Sequence, residues 1–428
     1  MRRIALVLAI ALAALVLALE LGSRIADRVV ASRKASPEFD AKSYKPGLFD
    51  KIARSTLDPA QRLEEGRTAP HPYLGYALKP AWSTPPGARQ QCSHNALGFR
   101  GKETTWEKPP RVFRIVTSGG SSVYGQSESN DAAVWSQRLE DRLNGAGLPY
   151  RIEVINGGCS GYSLVENLIN FALRLVDFHP DLLIQYEAIN DMRCALYTRG
   201  GAVKNDNTQW RQAWPVDRPS VLERVLEKSR TYLTWRYYCT NYAKLRPDLA
   251  FYAVVNYDPD VDLYDIEPVP DQGFDTYRRN LEELVTLAKA RGVQVLIATQ
   301  PLARYHLDGA RSEAKQLAGI DRIQEIQRQV GKERGVPVFE CARIVEAEIQ
   351  KELDREIERQ RSLDASADAA ELERRAKRVL HPSPLPAQPL PNVLFRHEVH
   401  PFDLGSDLIA KTIAEFLLGS DLLPKQLQ

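Results

Sequence analysis

Ser118-Gly119-Gly120-Ser121-Ser122-Val123-Tyr124-Gly125 follows directly on the apolar run Val112-Phe113-Arg114-Ile115-Val116. A strand that ends in two glycines and a serine, then enters a helical stretch, presents a hydroxyl at the carboxyl edge of a sheet. Ligands of open α/β sheets bind there. The glycines allow the positive φ and the close backbone approach that such a turn needs. A serine hydroxyl is a weak nucleophile until a neighbouring base takes its proton. A Gly/Ser-rich strand-to-helix turn also serves as a phosphate cradle. Here, however, neither Gly-x-x-x-x-Gly-Lys-Ser/Thr nor Gly-x-Gly-x-x-Gly is present. The remaining question is whether the chain supplies a base and an oxyanion hole.

Three further blocks bear on it. Val154-Ile155-Asn156-Gly157-Gly158-Cys159-Ser160-Gly161-Tyr162-Ser163 follows the next strand. A third strand, Asp181-Leu182-Leu183-Ile184-Gln185-Tyr186, runs into Glu187-Ala188-Ile189-Asn190-Asp191. Near the C-terminus stands His397-Glu398-Val399-His400-Pro401. In this order the blocks resemble those of the SGNH/GDSL hydrolases over roughly residues 90–415. The resemblance implies a three-layer α/β/α, flavodoxin-like parallel sheet. It makes Ser121 the nucleophile in preference to Ser122, at which substitution is expected to be mild, and His400 the base. Gly158 and Asn190 become oxyanion donors, and no metal or organic cofactor is implied. Taken alone, Asn190-Asp191 is more often a turn or a helix cap than a catalytic donor.

Two positions depart from the family pattern. Ala188 replaces a glycine, a small change because Asn190 remains. His397 stands where the family has its aspartate, and an imidazole cannot supply the carboxylate that orients a basic histidine. Replacing that aspartate by asparagine in a serine protease costs about 10⁴ in turnover. The expected activity is a serine esterase with reduced turnover, acting on an oxygen ester or acylated carbohydrate. The alternatives are an O-acyltransferase on a cell-surface polysaccharide and a non-catalytic envelope binding module.

Ile4 to Leu19 is an unbroken apolar run behind Arg2 and Arg3. The rival reading is a cleaved signal peptide, but no clear small-x-small site follows, so an uncleaved anchor is expected over residues 1–24. The positive charges favour neither side clearly, and the resemblance to exported hydrolases, with the Sec-like start, implies that the domain lies on the periplasmic side. Residues 25–110 read as a linker and a lead-in arm. Within the arm, His71 to Tyr76 and Asn95 to Gly101 are expected to pack on the core. Residues 111–419 then form the hydrolase-like domain, with insertions at 193–270 and 346–392. Its strands alternate with helices expected over Trp135–Leu143, Leu164–Val176, Leu281–Ala290, Ala314–Glu333 and Leu404–Leu418, the last capped by Asp403. A net charge of +2, without a basic tract interleaved with aromatics, gives no nucleic-acid footprint. Cys194 and Cys239 flank one insertion and could pair in an oxidising space. Asp258, Asp260 and Asp262 mimic a calcium loop, but Leu263 and Val269 stand where its glycine and glutamate belong.

Overall fold

The computed structural model describes residues 2–34, 67–88, 90–196, 221–226, 228–229, 231–232, 235, 271–306, 313–380 and 393–427. The 258–262 acidic run, Trp210, Trp214, Tyr237, Tyr238, Cys239 and the proline-rich Pro382–Pro391 segment lie outside them. In chain order the first elements are α1 (Arg2–Lys34), β1 (Thr68–His71), β2 (Gly75–Leu78), β3 (Val112–Ser118), α2 (Ser121–Tyr124), α3 (Trp135–Asn144), β4 (Arg151–Asn156), α4 (Leu164–Leu173), β5 (Leu182–Gln185) and α5 (Ile189–Leu196). Then come α6 (Val221–Leu226), α7 (Asp271–Ala290), β6 (Gln294–Ala298), α8 (Glu313–Arg334), β7 (Val338–Phe339), α9 (Cys341–Leu363), α10 (Ala369–Leu380) and α11 (Asp403–Leu418).

The chain divides into two compact units, Met1–Tyr76 with Gln212–Val254, and Ala77–Arg211 with Val255–Gln428. In the first, the Glu20 carboxylate on α1 accepts from the Ser229 hydroxyl (3.1 Å) and the Thr231 N–H (2.9 Å). Among the described residues no helix is long and apolar enough to cross a membrane. The uninterrupted apolar part of α1 spans about 24 Å against a hydrocarbon core of about 30 Å. The expected transmembrane span is therefore not established by the fold.

The second unit is built on a five-stranded sheet in the order β4-β3-β5-β6-β7, parallel throughout. Both faces of a parallel sheet are covered by helices, so its strands are apolar on both sides. Alternate strand residues accordingly feed two cores. Phe113, Ile115, Ile152, Val154, Leu182, Ile184 and Leu296 pack with α3, α9 and α11. Val116, Ile155, Leu183, Val295 and Ile297 pack with α4, α5, α7 and α8. The three-layer architecture read from the sequence is thus present. Strand order reverses between β3 and β5, and a crevice opens at the carboxyl ends of strands flanking such a reversal.

Ala77 to Trp106 fold with this unit. Buried Arg100 donates from Nε to Asp131 (2.7 Å) and from Nη1 to the carbonyls of Tyr124 (3.1 Å) and Gly125, at the far end of α2. Gln90 also donates to the Gly125 carbonyl (2.8 Å), and His94 Nε2 meets the Tyr124 hydroxyl (3.0 Å).

Three element boundaries differ from expectation. α4 ends at Leu173, and a 3₁₀ turn covers Leu175–Phe178. α7 starts at Asp271, because Phe274 and Tyr277 extend its buried face by about two turns ahead of Leu281. Phe402, not Asp403, is the N-cap of α11, and the Asp403 carboxylate instead accepts from the Ser129 N–H (2.7 Å) and hydroxyl (2.5 Å). The charged 346–378 stretch is not solvated all round, since Ile349, Leu353, Leu372 and Ala376 are buried.

Candidate active site

The two glycines after β3 are there for close approach. A Cβ on Gly119 would lie 2.2 Å from the Tyr186 carbonyl oxygen, and one on Gly120 would lie 2.5 Å from both Asn190 Nδ2 and Glu187 Oε2. Gly120 has φ −88°, so the positive φ expected at this turn is found instead at Gly125, which closes α2 with φ 89°. Gly119→Ala should therefore lower stability by about 1–3 kcal/mol through backbone overpacking. Urea titration checks this, as a lower midpoint at unchanged slope.

Ser121 heads α2, at 8% exposure. Its Oγ lies 2.7 Å from His400 Nε2, although 279 positions separate the two residues. Its own N–H has no acceptor among the described residues, as expected for the first residue of a helix. Asn190, on the first turn of α5, points its Nδ2 at Gly120 and gives one hydrogen to the Tyr162 carbonyl (2.9 Å). The second hydrogen of that amide remains for a ligand. Asp191 turns away and accepts from the Leu164 N–H (2.9 Å), which heads α4.

Gly158 does not fill the role expected of it. Its N–H donates to Asn156 Oδ1 (3.0 Å), and a Cβ there would sit 2.4 Å from the Tyr124 nitrogen. It packs beneath α2 with its donor engaged. The later part of the same block, Gly161-Tyr162, is what reaches Asn190, and Gly161 takes the positive φ of 81°.

His397 lies beside His400. Its ring centroid is 5.2 Å from that of His400 in an edge-to-face arrangement. His400 Nδ1 is buried and has no hydrogen-bond partner among the described residues. Burial, and next the nearby His397, push the His400 imidazole well below the ordinary histidine range. Glu398 is bound to Arg193 instead (2.6 Å). Burial alone would raise the Glu398 carboxyl, but Arg193 and the two histidines outweigh it and hold the group well below the usual carboxylate range.

One buried acid escaped the sequence reading. Glu187 accepts from the Gly120 N–H (2.7 Å) at Oε2 and from the Asn190 N–H (2.9 Å) at Oε1. It thus ties the Gly120-Ser121 turn to the start of α5. Burial pushes its carboxyl up to about 7, against the pull of those two amides. Nothing in a lone glutamate after a strand signals this.

No curated protein matches the chain. Among solved structures it is similar to a lipase/acylhydrolase from Enterococcus faecalis, at 14% identity and a TM-score of 0.37, covering 72% of this chain and 96% of that one. It is also similar to an acetylxylan esterase from Geobacillus stearothermophilus, at 12% identity and a TM-score of 0.37, covering 73% and 96%. Residues 118–385, more than half of the sequence and starting at the Ser118 turn itself, match one family in full description, and the chain belongs to the GDSL-like lipase/acylhydrolase family.

Proposed function

We propose that this chain is a serine esterase that cleaves an oxygen ester through an acyl-enzyme at Ser121. The 2.7 Å contact between Ser121 Oγ and His400 Nε2 carries the reading. The Ser121 oxygen attacks the ester carbonyl as His400 Nε2 takes its proton. The oxyanion is held by the Ser121 N–H and the Asn190 side-chain amide. His400 then returns the proton to the departing alkoxide, and the C–O bond of the ester breaks. Water, deprotonated by the same nitrogen, releases the acid and restores the serine. A sugar hydroxyl in place of that water would give acyl transfer instead, which product analysis distinguishes.

A fluorophosphonate applied to the purified full chain is expected to attach to Ser121, mapped by peptide mass spectrometry. If the folded protein takes no label and turns over no short activated ester, it is a binding module that keeps the fold, the alternative that His397 favours.

The N-terminal helix is proposed as an uncleaved membrane anchor with the esterase unit outside the cytoplasm. Val7, Ile10, Leu15, Val16, Leu17 and Leu19 are all exposed on α1, and a helix with so many uncovered apolar side chains suits lipid better than water. Arg2, Arg3 and Arg24 can snorkel to bring a 24 Å run to a thicker core, of about 30 Å. Alkaline phosphatase fused after residue 428 should be active, with Met1 or Arg2 retained in the mature protein. Reporter activity confined to the cytoplasm reverses the orientation, and a mature N-terminus beyond Gly22 makes the segment a signal peptide.

A further inference from the structure

Two of three successive carbonyls fix the histidine segment to its surroundings, and the third closes a turn within it. The Glu398 carbonyl accepts from the Ala303 N–H (2.7 Å), the Val399 carbonyl from the Ser122 hydroxyl (2.8 Å), and the His400 carbonyl from the Arg396 N–H (2.8 Å). The middle bond alone comes from a side chain, and that side chain is the nucleophile's neighbour. Ser122 is 1% exposed, and Gln300, which donates from Nε2 to its Oγ (2.9 Å), is 2% exposed. Gln300 Oε1 in turn accepts from the N–H groups of Ala188 (3.0 Å) and Ile189 (2.9 Å), where α5 begins.

The direction of this chain of bonds is forced. Two backbone N–H groups decide which end of Gln300 is oxygen, so its nitrogen faces Ser122. A hydroxyl has one hydrogen. With Gln300 donating to it, Ser122 must give that hydrogen to Val399. Four parts thereby meet: the helix of Ser121, the end of β6, the helix of Asn190 and the residue before His400.

We propose that Ser122 and Gln300 are positioning residues whose strut sets His400 against Ser121 and Asn190, taking over the orienting task that a carboxylate on Nδ1 performs elsewhere. The kinetic consequence rests on the esterase reading; the placement of His400 does not. It also revises the expectation that substitution of Ser122 is mild.

Two variants break the strut differently. Ser122→Ala removes the donor to Val399. Gln300→Glu keeps the size and still accepts from Ala188 and Ile189. Its second oxygen, however, draws the Ser122 hydrogen away from Val399. In the full chain each is expected to lower kcat for a short activated acetyl ester by about 100-fold, the scale of a 1 Å misplacement, with KM within about threefold. Ser122→Thr, which keeps the hydroxyl, should recover most of the rate. The double variant should be no slower than Ser122→Ala alone, because both act on one link. The His400 ring resonances in ¹⁵N-histidine spectra should move in both single variants.

Folded variants with kcat within about twofold of the native chain, or with a rise in KM matching the fall in kcat/KM, overturn the proposal. Unmoved His400 resonances overturn it as well. Should Ser122→Ala fail to fold, Gln300→Glu decides. If the native chain hydrolyses no ester and takes no fluorophosphonate, the esterase reading falls, and the ring resonances still decide the strut.

Discussion

Ser121→Ala is expected to lower kcat for a short activated ester by about 10⁴, with KM little changed. The size of the loss is informative in itself. In a serine protease, removing the serine costs about 2 × 10⁶ in kcat and removing the aspartate alone about 3 × 10⁴. A site with no substitute for the acid would start low, and the serine would have only about 10² left to lose. Among the described residues His400 Nδ1 has no acceptor, but the two carbonyls before His400 are held from outside the segment and its Nε2 already meets Ser121. We therefore place the drop well above that floor. Stopped assays with an acetyl or butyryl nitrophenyl ester measure it. Equal turnover in the variant and the native chain removes Ser121 from the mechanism; a drop near 10² leaves Ser121 in place and says that the backbone pins do not replace the acid.

His397→Asp is expected to raise turnover by about 10-fold, with a ceiling near 10⁴ set by the full effect of the acid. For Nε2 to accept the Ser121 proton, the ring must carry its own proton on Nδ1, and that atom has no acceptor among the described residues. A carboxylate at 397 would favour this tautomer and stabilise the imidazolium that forms. The pH profile should change in a definite direction. Only neutral His400 is a base, and in the native chain burial and His397 hold its pKa low, so the acid limb of kcat/KM lies well below pH 6.5. Replacing a positive neighbour by a negative one raises that pKa, and the limb moves up. A variant that is slower at every pH would mean that His397 itself contributes to turnover.

Much of this was legible in order and spacing. The apolar runs predict the strands; the serine and the asparagine follow two of them, the histidine stands before α11, and Ser121 and His400 meet. The oxyanion glycine was less legible because one block holds Gly157, Gly158 and Gly161, and spacing does not tell which amide is engaged locally. Glu187, Ser122 and Gln300 could not be read at all. Each acts through a contact made only on folding: a glutamate against two amides, and a hydroxyl against a carbonyl 277 positions away. The early start of α7 was hidden because Phe274 and Tyr277 adjoin a stretch read as an insertion.

The portion of sequence that matches the family is shorter than the portion that builds the proposed site. It begins at residue 118 and ends at residue 385. Upstream of it lies Arg100, whose guanidinium fastens the back of the helix behind Ser121; downstream lies His400. A fragment trimmed to the recognisable boundaries would keep Ser121 and lose both Arg100 and His400, the proposed base. Any shortened version for study has to begin by Ala77, where the compact unit begins, and run past α11.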